Sequence, residues 1–120
     1  MGKQEKIGEA PPLPPATFQI LLALVDRERH GYAIMKEVAE RTDGGMRLGP
    51  GTLYGTLKRL LDVGLVEEAG ERADAEAGDE RRRYYRITKR GLTVARAEAR
   101  RLETMVRAAR AKKLIGPEPA

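Results

Sequence analysis

Between Arg81 and Arg90 the chain reads RRRYYRITKR, with six basic residues, two tyrosines and no acid. Guanidinium and ammonium groups interleaved with aromatic rings suit phosphate, because the charges neutralise it and the rings cover the neighbouring backbone. A second stretch, GPGTLYGTLKRLLDVGLVEE from Gly49 to Glu68, sets threonines, a tyrosine, a lysine and an arginine around a leucine stripe at helical spacing. Those side chains offer hydrogen bonds and positive charge, not nucleophiles. Elsewhere the chain has no Cys, Ser, Asn or Trp, and His30 is its one histidine. That excludes disulfides, thiolate metal sites, Ser-His-Asp or Cys-His arrangements and histidine metal clusters. The carboxylates show no paired pattern, so neither catalysis nor a cofactor or metal is expected. His30 precedes Gly31 at a helix start and reads as a turn residue.

With 120 residues, 34% of them charged and 4% aromatic, the chain makes one domain with a modest aliphatic core. A core that thin is often completed by self-association. The formal charge of +5 points mildly to a polyanionic partner. The longest apolar run, ILLALV from Ile20 to Val25, is far short of the ~18–20 residues of a membrane span. MGKQEKIGEAPPLPP has no hydrophobic secretory region, and Lys6 stands where a myristoylation signal wants Ser or Thr. A cytoplasmic location is expected.

The elements that would hold the two stretches follow from periodicity and punctuation. Residues 1–13 read as a disordered, proline-rich tail. Pro14 and Pro15 suit a helix start, and ATFQILLALVDRE follows as a first helix with Phe18, Leu21, Leu22 and Val25 on one face. That helix is apolar nearly all round, so a second subunit is expected to cover part of it, through Phe18 and Leu21. HGYAIMKEVAERTDGG gives a second helix, with Ile34, Met35, Val38 and Ala39 buried and Gly44-Gly45 as its stop. Pro50 opens a third helix that runs to Val63, and Gly64 closes it. LVEEA and RYYRIT are strands, separated by the loose loop GERADAEAGDERR. Thr88 caps a last helix from Lys89 to about Lys113, and residues 114–120 form a flexible tail. Leu92, Ala95, Ala99, Leu102, Val106 and Ala109 alternate by three and four along it, with Met105 widening the stripe. This is the seam of a coiled coil. At about 25 residues, or roughly 37 Å, that helix overshoots its domain, so the seam is expected to join two copies.

Three helices, a hairpin and a final helix give a mainly α fold with a small β-hairpin. Residues 14–88 read as a winged helix-turn-helix domain and residues 89–113 as a long C-terminal dimerisation helix. In helix-turn-helix proteins the second helix of the pair enters the major groove. Thr52, Gly55, Thr56 and Arg59 would then lie nearest the bases, with Tyr54 and Lys58 towards phosphates. Arg81, Arg82 and Arg83 at the wing base would add phosphate contacts. Lys89 and Arg90 oppose the dipole of the last helix, a conflict that an external phosphate would relieve. The tip ERADAEAGDE, with five acids and one arginine, is expected to stay away from DNA.

These pieces together resemble the PadR family of bacterial transcriptional regulators. The likeness is carried by HGYAIMKEV, GPGTLYGTLKRLLDVGLVEE and RRRYYRITKRG, within residues 17 to about 110. It implies a homodimeric winged-helix repressor on double-stranded DNA, with Tyr32, Thr52, Tyr54, Lys58 and the wing arginines on the operator. The two recognition helices of such a dimer would meet major grooves about 34–36 Å apart on a roughly palindromic site. Gly55 departs from the family pattern, in which proline is common at that position. Some relatives hold flat drugs or phenolics between tryptophans at the dimer interface, a mode closed to a chain without Trp. A small-molecule effector therefore stays unidentified. The competing expectation is a dimeric protein-interaction module that keeps the fold without specific DNA binding, for which the acidic tip and modest charge speak.

Overall fold

The computed structural model describes residues 12–73 and 80–119. Its elements are α1 (Pro15–Leu24), β1 (Arg29–His30), α2 (Gly31–Arg41), α3 (Pro50–Asp62), β2 (Val66–Ala73), β3 (Arg81–Ile87) and α4 (Lys89–Ala111). The mainly α winged-helix layout is thus present, with one strand more than a hairpin.

Pro14 caps α1 and Pro15 occupies its first turn, where proline's missing N–H has no helical partner to lose. The helix ends before the expected DRE because Arg29 folds back, its Nε donating to the Ala23 carbonyl at 2.7 Å. The chain then turns into β1. Ile20, Leu21, Ala23 and Leu24 are buried, whereas Leu22 and Val25 are exposed, so the buried face is rotated from the one the sequence suggested. Residues 1–11 of the expected tail lie outside the described residues. Leu13, which was assigned to that tail, packs against the core instead.

His30 is corrected from a turn residue to a strand residue and a helix cap. It pairs with Tyr84 across the sheet, and its Nδ1 accepts from the Ala33 N–H at 3.1 Å. Ile34 and Val38 are buried on α2, while Met35 is half-buried. The helix stops one residue before the expected Gly44-Gly45: Asp43, with φ near +54°, takes the left-handed position after the Thr42 cap, and the Gly44 N–H donates to the Ala39 carbonyl at 2.7 Å.

On α3, Leu53, Leu57 and Leu60 are 0–4% exposed and hold the helix to α1 and α2. The sheet runs β1-β3-β2, all antiparallel, with Val66 opposite Ile87 and Ala73 opposite Arg81. Thr88 then fastens the start of α4: its Oγ1 accepts from Gly91 N–H at 3.0 Å and donates to the Gly64 carbonyl at 2.7 Å. A Cβ on Gly91 would sit 2.1 Å from the Leu65 carbonyl oxygen, so only glycine lets α4 leave the wing at this angle.

Candidate nucleic-acid interface

Along α3 the leucine stripe leaves Gly51, Thr52, Tyr54, Lys58 and Arg59 exposed and Gly55 half-exposed. The expectation for Thr56 is corrected. It is 3% exposed, and its Oγ1 accepts from Arg59 Nη2 at 3.2 Å. A helical step of about 100° places it roughly 60° from Leu53, inside the buried arc. Its hydroxyl therefore orients Arg59 from behind and faces no base. Lys58 makes only a loose exposed pair with Asp62, at 3.6 Å.

Gly55 has a backbone any residue could adopt, and an added Cβ would meet only Arg59 Nη1, at 3.9 Å. Neither packing nor conformation requires glycine there. Gly31 is the opposite case. A Cβ there would lie 2.2 Å from Tyr54 Oη. The Tyr54 ring thus ties α3 to the start of α2, which fixes Tyr32 beside the recognition helix.

Strand alternation divides the wing base into two faces. On one face Arg81 donates to the Glu71 carbonyl at 2.7 Å. Next to it Arg83 lies 3.3 Å from Glu71 and 3.7 Å from Glu68. The hydrogen bond to Glu71 and the charge of Glu68 hold the Arg83 guanidinium above its usual pKa. Beyond them Tyr85 enters the core, and burial raises its phenol. On the other face the Arg82 guanidinium is 5.7 Å from the Tyr32 ring centre, and Tyr84 meets His30 edge-on at 5.2 Å. Arg86 Nε bonds Glu67 at 2.7 Å. Acids at 67, 68 and 71 thus counter a strand that looked uniformly cationic. Residues 74–79, which carry most of the expected acidic tip, lie outside the described residues.

An open groove of about 670 Å³ runs along α2 and brings Lys36 and Arg47 beside Tyr32. The sequence reading named neither cation, since each sits among residues of mixed charge.

The family model for the transcriptional regulator PadR-like family matches residues 20–97. The chain belongs to this family. PadR-family regulators are DNA-binding transcription factors. The chain is 36% identical over 90 residues to the transcriptional regulator Rv3488 of Mycobacterium tuberculosis, covering 75% of this chain and 78% of that protein. It is 34% identical over 72 residues to an uncharacterised protein of Lysinibacillus sphaericus, covering 60% of this chain but only 63% of that protein's length. The fold matches a PadR family transcription regulator from Clostridium difficile with a TM-score of 0.69 at 23% identity, over 86% of this chain and 100% of that one. It also matches Bacillus subtilis PadR, solved in complex with operator DNA, with a TM-score of 0.53 at 19% identity, over 89% of this chain and 50% of that one.

In this PadR-family regulator α4 divides into two halves. Gly91, Ala95 and Glu98 are buried against the domain, whereas Met105 and Val106 are 55% and 43% exposed. Leu92, Leu102 and Ala109 are half-buried, Ala99 is exposed and Phe18 is half-buried. Leu21 is corrected: at 0% exposed it has no surface left for a partner. Ala95, at 6%, is likewise mostly used within its own chain. Glu98 accepts from Arg101 Nη2 at 2.6 Å and from the Leu13 N–H at 3.3 Å, clasping the lead into α1. Arg101, and secondarily Leu13, hold the Glu98 carboxyl below the usual carboxylate range despite its burial. Among the described residues there is no candidate metal cluster, and no helix is long and apolar enough to cross a membrane.

Proposed function

We propose that this chain is a homodimeric repressor that reads a roughly palindromic operator. The exposed face of α3 carries the sequence readout through Thr52 near its start and Arg59 in its last turn, with Gly55 allowing close approach. Tyr32, Tyr54, Lys58 and Arg82 position the domain on phosphates, and Arg81 and Arg83 flank them at the wing base. Residues 14–88 form the DNA-reading unit. The outer half of α4, through Leu102, Met105, Val106 and Ala109, joins it to a second copy. The observation that carries this reading is the exposed, glycine-edged face of α3, whose Tyr54 packs on Gly31, the neighbour of Tyr32, with the Arg82 guanidinium 5.7 Å from the Tyr32 ring centre. An effector would act by changing the separation of the two recognition helices.

Retardation of promoter fragments from around its own gene, against scrambled fragments over a range of salt, tests the proposal. Selective binding that Lys58→Ala with Arg59→Ala removes, in a protein still dimeric by light scattering, supports it. Equal binding to both fragments defeats sequence-specific repression. A second reading, a protein-interaction module, draws on the acids paired with Arg83 and Arg86. It would be favoured by a wild-type dimer that binds no DNA.

A further inference from the structure

Glu28 lies between α1 and β1, outside every element assigned to DNA contact, yet its carboxylate is shared by both long strands of the wing. Arg72 Nη2 on β2 donates to Oε1 at 2.7 Å, and Arg86 Nη1 on β3 donates to Oε2 at 3.0 Å. Arg86 is held a second time by Glu67, and the Arg72 guanidinium stacks 4.0 Å from the centre of the Tyr84 ring. Arg72 stands directly across from Arg82, and Arg82, Tyr84 and Arg86 alternate along one face of β3. Two further cations therefore share the sheet face that brings Arg82 to Tyr32, and both are already engaged.

We propose that Glu28 is a counter-ion that limits non-specific binding to DNA. It keeps Arg72 and Arg86 out of the phosphate-binding set and ties the wing to the helical body. This rests on the DNA-binding reading above. Phosphate contacts add affinity without sequence information. Each extra arginine on the backbone strengthens binding to every duplex alike, so it raises the background of non-specific binding without helping to tell one sequence from another. A phosphate that approaches Arg72 or Arg86 must compete with a carboxylate that both arginines already share. The arrangement also goes beyond a casual surface pair, because Glu28 reaches partners 44 and 58 residues away.

The test uses the full-length protein and a random-sequence DNA duplex, titrated by fluorescence anisotropy over a range of salt. Glu28→Gln keeps the shape and removes the charge. Its logarithmic salt slope should steepen by about 1 to 2, since each arginine released onto phosphate contributes roughly 0.9. Two released arginines would make its advantage over wild type shrink by roughly tenfold between about 50 and 200 mM salt. Adding Arg72→Gln and Arg86→Gln to Glu28→Gln should return the slope to the wild-type value. Parallel slopes for wild type and Glu28→Gln overturn the proposal, as does a steeper slope that survives loss of both arginines. If wild type binds no duplex, the repressor reading fails by itself. The role of Glu28 then stands if Glu28→Gln acquires duplex affinity and falls if it does not.

Discussion

Helices α3 and α4 both carry an aliphatic stripe at helical spacing, and the fold treats them differently. The leucines of α3 are sealed inside the domain at 0–4% exposure. Along α4 the same kind of stripe is sealed only as far as Glu98, and Met105 and Val106 stand in the open. An apolar stripe therefore says that a helix will be covered, but not by whom. Length decides between the two: the 13 residues of α3 stay above the body of the domain, whereas the 23 residues of α4 outrun it. The polar faces differ as well. That of α3 is edged with glycines and pairs loosely, while α4 buries a carboxylate in a tight pair with Arg101.

The comparison can be broken most forcefully at Leu57. Leu57→Ala should cost about 4 kcal/mol, as truncation of a fully buried leucine does. Denaturant unfolding would show a lower midpoint, and a loss under 1 kcal/mol would mean that α3 is not anchored as described. On α4, Met105→Glu with Val106→Glu should leave the monomer fold intact by circular dichroism. It should weaken self-association by about 3 kcal/mol, a factor of roughly 100, because the seam would bury unpaired charge. Unchanged sedimentation behaviour would place the dimer contact elsewhere.

Smaller effects separate the polar faces. Glu98→Gln should cost about 1–2 kcal/mol at neutral pH by removing charged hydrogen bonds. The sign of its pH dependence follows from the depressed carboxyl. The stability it confers is complete above the ordinary carboxylate range and is lost as pH falls through the folded value. The gap between wild type and variant should therefore close in acid, and a gap constant with pH would contradict the clasp. Gly55→Ala should raise stability by about 0.5–1 kcal/mol, since the methyl meets nothing closer than Arg59. It should also lower operator affinity if that face lies against DNA. A more stable protein with unchanged affinity would remove Gly55 from the interface.

Much of this molecule could be read before folding. The order of the helices and the two long strands, Thr88 as a cap, Gly64 as a stop and the leucine face of α3 all come from local rules about φ angles, capping and periodicity. Those signals act within a few residues, so they survive in a linear reading. Thr56 could have been recognised as buried by the same helical step, because it lies too close to Leu53 and Leu57 to face outward. The two-residue β1 could not, since a strand that short has no period and exists only because β3 offers an edge. The countering of the wing arginines was equally hidden. Glu67, Glu68 and Glu71 meet their partners through a register that includes a bulge between Glu68 and Glu71, where Gly70 has φ near +94°.

The sequence by itself determined the four helices and the two long strands, and that two of its stretches carry hydrogen-bonding groups and positive charge without nucleophiles. Those properties belong to single residues and their near neighbours. Only the tertiary structure decided that Leu21 is core, that Leu13 is clasped by Glu98, and that Glu28 holds two wing arginines. Each of these joins residues far apart in the chain, and burial and ion pairing depend on distance in space.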